Sequence, residues 1–161
     1  MSREQVVDWL EGIVFGGVAI TTAALEYATD GQELTFTQWR AILFVGEDAG
    51  GCRVGEVATL LHASLPTTSR LLRRLERRGL LALKRDEQDR RATRARLTEA
   101  GAALRSAVLA YRRDRIAAIV DQANPPASAH RALRNLAMRF DARGHDASAP
   151  ARAASAEETG E

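Results

Sequence analysis

The sequence predicts a mostly α-helical protein with a small β-hairpin wing, a winged helix-turn-helix carrying a helical dimerisation region. Three observations predict it. Helix formers dominate, with 30 alanines against prolines only at 66, 125, 126 and 150. A three-residue turn, His62-Ala63-Ser64, joins a short apolar-faced segment to an arginine-rich one. Two short alternating segments linked by a charged loop come directly after. The implied division is an N-terminal dimerisation helix over 1–33, the winged helix-turn-helix over 34–97, C-terminal dimerisation helices over 98–141 and a disordered tail over 142–161.

The elements follow in order. Glu4 to about Ala28 reads as one long helix, with Val6, Leu10, Ile13, Gly17, Ile20 and Ala24 at spacings of three and four. Val7, Val14, Val18 and Leu25 add a second stripe, leaving the middle apolar nearly all round. Such a helix in a small protein calls for a partner beyond its own chain, and dimerisation is the favoured reading. Asp30-Gly31 ends it. Thr35 then caps a helix from Phe36 to near Val45, with Gln38 reaching back as the second half of a capping box. Val54 to Leu61 is a short helix with Val57, Leu60 and Leu61 on its apolar face. Ser64 caps the next, Leu65 to about Arg78, where Pro66 lacks a donor that the helix start does not need. Gly79 is its left-handed stop. Leu80–Arg85 and Ala92–Leu97 form the hairpin, Thr98 caps a long helix to about Gln122, and Asn124-Pro125-Pro126 stops it. A last helix runs from about Ala127 to Asp141.

The formal net charge of +2 hides a strong asymmetry. Residues 1–63 carry a net −6, residues 64–96 a net +7 and residues 97–161 a net +1. The basic block is either a footprint for a phosphate backbone or a solvated arginine-rich face. The helix within it has two stripes. Thr68, Leu71, Leu72 and Leu75 can dock on the preceding short helix. Thr67, Arg70, Arg74 and Arg77, flanked by Pro66, Ser69 and Arg73, fall on the outer side. Small hydroxyls near a helix start can reach base edges or phosphates in a major groove, and arginines further along can bind guanine or grip phosphate. Only Glu76 lies within that helix to neutralise them.

Four strings in the right order, Leu34-Thr35-Phe36-Thr37-Gln38-Trp39-Arg40-Ala41-Ile42-Leu43, Leu71-Leu72-Arg73-Arg74-Leu75-Glu76-Arg77-Arg78-Gly79-Leu80, Asp89-Arg90-Arg91 and Leu97-Thr98-Glu99-Ala100-Gly101, resemble the MarR family of bacterial regulators. The resemblance covers roughly residues 5–141. It implies a homodimeric winged-helix protein on pseudo-palindromic double-stranded DNA, usually a repressor, released by a small phenolic or lipophilic ligand or by oxidation. By matching positions it implies that Thr67, Ser69 and Arg70 read the major groove and that Arg91 enters the minor groove. Asp89 would hold the wing by pairing with a nearby arginine, and Arg90 and Arg94 are weaker phosphate candidates. Two positions depart from the family. Arg53 replaces the usual Ser or Thr cap of the short helix, and His62 fills a turn position commonly held by Gly.

Other functions are disfavoured. The lone cysteine, Cys52, excludes an internal disulfide and a Cys-based zinc site within one chain. His62, His130 and His145 match no metal-ligand spacing, and no phosphate loop or catalytic triad can be argued, so no enzyme, metal or cofactor is expected. The uncharged run Gly12–Leu25 has 14 residues, short of the roughly 20 that a membrane span needs, and the expected compartment is the cytoplasm. Trp9, Phe15, Tyr27, Phe36 and Trp39 are either core residues or the lining of an effector cavity. Cys52 is either a small buried hydrophobe or an oxidant sensor whose thiolate Arg53 favours. A winged-helix module for protein–protein interaction is the remaining alternative.

Overall fold

A computed structural model describes residues 2–29, 33–86 and 89–139. The expected Asp30-Gly31 stop, part of the wing loop, the last residues of the final helix and the tail lie outside them. The chain forms two compact units, 1–124 and 125–161.

In the first unit the order is α1 (Arg3–Ala28), α2 (Phe36–Val45), β1 (Cys52–Arg53), α3 (Val54–Leu60), α4 (Leu65–Arg77), β2 (Leu81–Arg85), β3 (Thr93–Leu97) and α5 (Glu99–Ala123). Helix starts follow local chemistry. Ser2 with Gln5 and Thr35 with Gln38 form reciprocal capping boxes, the two Thr35–Gln38 bonds being 3.0 and 3.2 Å. Ser64 Oγ accepts from the Thr67 N–H at 3.4 Å, and Thr98 Oγ1 from that of Gly101 at 3.1 Å. Arg53 makes no side-chain cap, but the Glu56 carboxylate accepts its N–H at 2.6 Å, covering the start of α3 from inside the helix. At the other end of α3, Arg40 of α2 donates to the Leu60 carbonyl at 3.1 Å, one of the orphan acceptors a helix leaves.

Two left-handed residues set the corners around α4. His62 takes φ +50 in the α3–α4 turn, and Gly79 takes φ +71 just past α4. The sheet is three-stranded and antiparallel, in the order β1-β3-β2. The hairpin pairs Leu81 with Leu97 through Arg85 with Thr93, while Cys52 pairs with Ala95 and Arg53 with Arg94. The sequence reading missed β1. Two residues are too few to show a period, and only the partner strand defines them.

Trp39, Ala41, Ile42 and Val45 of α2, Val57 of α3, Leu72 and Leu75 of α4, Leu81 and Ala95 of the sheet and Val108 of α5 make one continuous core. Ala24 and Leu25 bring the last turns of α1 into it. Away from that end α1 packs along α5 yet leaves Val7, Trp9, Ile13, Val14, Phe15 and Val18 exposed. By length and composition alone α1 could also cross a membrane, since one 18-residue window has mean hydropathy 1.4. Counting only the uncharged run understated its apolar length. The second unit contains α6 (Ala127–Arg139), whose Leu133 and Met138 face solvent.

Candidate nucleic-acid interface

Helix α4 is divided as its sequence demands. Thr68, Leu72 and Leu75 are buried and Leu71 partly so, while Pro66, Thr67, Arg70, Arg73, Arg74 and Arg77 are exposed and Ser69 is half-buried. Its two faces therefore belong to different partners, the core on one side and solvent on the other. The Thr67 hydroxyl shares a 2.9 Å hydrogen bond with Ser64 Oγ, which fixes its rotamer and leaves the oxygen further bonding capacity. Glu76, the acid expected to offset some of the arginines, instead accepts the N–H of Leu83 at 3.0 Å and ties α4 to β2. Among the described residues, Arg70, Arg73, Arg74 and Arg77 have no carboxylate within 4 Å. Four fixed positive charges on one exposed stripe, none neutralised from within, form a field suited to a polyanion.

The wing comes close to this helix. A cleft of about 320 Å³ between α3, α4 and the hairpin is lined by Ser69, Arg73 and Arg91, with Arg53, Leu65 and Leu83. Arg91 is thus brought beside the outer face of α4, and Arg90 is exposed next to it. The Arg91 N–H donates to Asp89 Oδ1 at 3.0 Å, a turn that sets the direction of the chain at the wing tip.

Two expected roles are reassigned. Asp89 pairs with no arginine among the described residues; the carboxylate that does is Asp86, whose side chain is 1% exposed. Arg53 reaches it with Nε at 3.2 Å and Nη2 at 3.4 Å, and Arg94 with Nε at 2.8 Å. This pairing raises the pKa of Arg53 above its already high ordinary value. Arg94, expected as a phosphate candidate, is committed to Asp86 and to the Gly51 carbonyl at 2.8 Å, and so stiffens the wing from within. Asp86 opens the same charged loop as Asp89, and the sequence alone gave no sign of which would turn inward. The buried one is the residue just past the last β2 pair, facing Arg94 on the adjacent strand and Arg53 on β1 beyond it.

Among the described residues, the effector candidates differ sharply in setting. Trp39 is a core residue, 1% exposed, and Phe15 is 78% exposed on α1. Tyr27 stacks against Tyr111 of α5 with centroids 5.2 Å apart. Phe36 lines a cavity of about 340 Å³ between the end of α1 and the start of α2, together with Leu25 and Leu34 and the acids Glu26 and Glu33. Cys52 is buried, and that burial, with Glu56 nearby, pushes its thiol up to about 12. Arg53, expected to favour the thiolate, is turned to Asp86 instead. A thiol held protonated is a poor nucleophile, which weighs against an oxidant sensor.

The MarR family model matches residues 32–92, the span of α2 through the wing loop. Over that span the chain is similar to the MarR family. A structure of RV1404 from Mycobacterium tuberculosis superposes with a TM-score of 0.77 and 27% identity, over 91% of this chain and 97% of that one. A MarR family protein from Bacillus stearothermophilus follows with a TM-score of 0.64 and 26% identity, over 86% and 98% of the two chains. The transcriptional regulator Tm0710 from Thermotoga maritima shares the fold with a TM-score of 0.63 at 23% identity, over 85% and 92%. No curated protein matches the sequence significantly. This likeness supports a DNA-binding regulator, and the exposed arginines of α4 are the feature on which such an activity can rest.

Proposed function

We propose that the chain is a cytoplasmic homodimeric repressor that binds a pseudo-palindromic operator and releases it on binding a small apolar or aromatic molecule. The observation that carries this reading is the pairing of an exposed, unneutralised arginine stripe on α4 with Arg91 of the wing across one cleft. In it, Thr67, Ser69 and Arg70 read a major groove, Arg73, Arg74 and Arg77 hold phosphates, and Arg91 enters the adjacent minor groove with Arg90 beside it. A narrow minor groove has enhanced negative potential, which favours an arginine there.

A second copy is the occupant proposed for the apolar surface of α1 and α5. Trp9, Ile13, Val14 and Val18 of α1, with Ile116, Ile119 and Val120 of α5, are too many exposed large side chains for a lone soluble molecule. Two copies would set the α4 helices in successive major grooves, about 34–36 Å apart. The cavity beside Leu25, Leu34 and Phe36 lies where the last turn of α1 meets the reading head, so an apolar ligand there could change that spacing. It relieves repression only if it binds the wrongly spaced dimer more tightly than the DNA-competent one.

The test is selection of duplexes from a random pool, followed by footprinting of the winning site. Two half-sites one helical turn apart are expected. Selection of no sequence, with specific capture of an acidic protein partner instead, would favour an interaction module and reject the operator reading.

A further inference from the structure

Residue 53 precedes α3 as its N-cap, with φ −73 and ψ 146, yet its side chain leaves the helix alone. A Ser or Thr there would cap the N-terminal amides; arginine cannot accept their hydrogen bonds. What the arginine does is cross to the wing. In the β1–β3 pairing, Arg53 sits directly opposite Arg94, a placement in which two like charges repel. The Asp86 carboxylate stands between them and takes both, the Arg53 fork at 3.2 and 3.4 Å and Arg94 Nε at 2.8 Å.

From Asp86 the bonding runs to the wing tip. Asp86 Oδ1 accepts the Asp89 N–H at 3.0 Å, and Asp89 Oδ1 accepts the Arg91 N–H at 3.0 Å. The Asp86 N–H closes the loop on the Ala92 carbonyl at 3.0 Å. Three links thus join the start of α3 to the backbone of Arg91. Arg94 already satisfies the charge of Asp86 from within the hairpin, so the extra thing Arg53 supplies is a tie between the hairpin and the helix-turn-helix.

We infer that Arg53 is a positioning residue for the wing, acting through Asp86 and Asp89 to hold Arg91 at a fixed place relative to α4. This rests on the DNA-binding reading for its consequence, but the positioning itself can be measured without DNA. In the free full-length protein, amide exchange at Asp89 and Arg91 should be about tenfold faster in Arg53→Ser than in wild type, with most of the protection restored in Arg53→Lys. Thermal stability should be nearly unchanged, because the serine can cap α3 and Asp86 keeps Arg94. Unaltered exchange at both amides overturns the inference, whatever DNA does.

On the duplex selected by the wild-type protein, Arg53→Ser should weaken binding about tenfold. Hydroxyl-radical protection should be lost in the minor groove at the flanks of the site while major-groove protection persists. Asp86→Asn separates positioning from direct contact. An Arg53 that itself gripped phosphate would be released by this change and would bind more tightly; the inference requires weaker binding, and tighter binding overturns it. Should Asp86→Asn fail to fold, the exchange and footprint of Arg53→Ser decide alone. A wild-type chain that selects no duplex removes the operator reading, while the exchange measurement still decides whether Arg53 holds the wing.

Discussion

Gly101 in the first turn of α5 lies directly on the carbonyl of Leu80, so that a Cβ at position 101 would collide with that oxygen. The same junction is sealed from the other side. Thr98 donates its hydroxyl to the Gly79 carbonyl at 2.6 Å and its N–H to the Leu80 carbonyl at 3.2 Å. The long helix therefore begins on the corner where α4 ends. Gly101→Ala is expected to destabilise the fold by about 1–3 kcal/mol through backbone displacement, read from urea unfolding. A change below about 0.5 kcal/mol would show that the junction yields easily.

Arg91→Ala should leave the unfolding midpoint within error, since the side chain is exposed, and weaken DNA binding by about tenfold. A fluorescence-anisotropy titration at fixed salt checks it. Equal affinity for both proteins would take Arg91 out of the interface.

The arginine stripe predicts a steep response to ionic strength. With several arginines per protomer displacing counterions from two half-sites, the slope of log K against log salt should be steeper than about −4. Arg74→Ala should reduce that slope while lowering affinity similarly on all sequences, whereas Arg70→Ala should also relax preference at one base pair. A flat salt response would contradict a phosphate footprint.

Cys52 should resist thiol reagents at pH 8 in the folded protein and react at once on denaturation. Its folded pKa of about 12 lies above the ordinary 9.0, so the unfolded chain loses its proton first as pH rises. The contribution to stability is whole below pH 9 and declines between 9 and about 12. Denaturant midpoints across that range, compared with Cys52→Ala, test this; identical pH profiles would refute it.

Ile13 is 65% exposed in the single chain. Ile13→Arg should leave helix content intact, halve the sedimenting mass and abolish tight operator binding. A variant that still sediments as two copies would move the dimer contact elsewhere.

Much of this architecture was legible from residue order. The Thr35–Gln38 box, the Ser64 and Thr98 caps and the Gly79 stop are local chemistry, and each formed as its sequence predicts. The division of α4 into a buried and an exposed stripe follows from spacing alone. What could not be read were the partnerships across long separations. The Arg53–Asp86 pair spans 33 residues and depends on a strand register that two residues of β1 cannot announce. The fate of Arg94 hung on that same register. The settings of the effector aromatics were hidden for a different reason: a lone sequence shows which side chains are greasy, but not that Trp39 sits in the core while Phe15 faces solvent.

The short strand β1 leads straight into α3 while pairing with β3, the middle strand of the sheet. On the proposed reading, the tip that enters the narrow groove and the rod that lies in the wide one are consequently parts of a single rigid stamp. In that reading, induction does not fold the tip away; it shifts one whole stamp against its twin, and so abolishes contacts in both grooves at once.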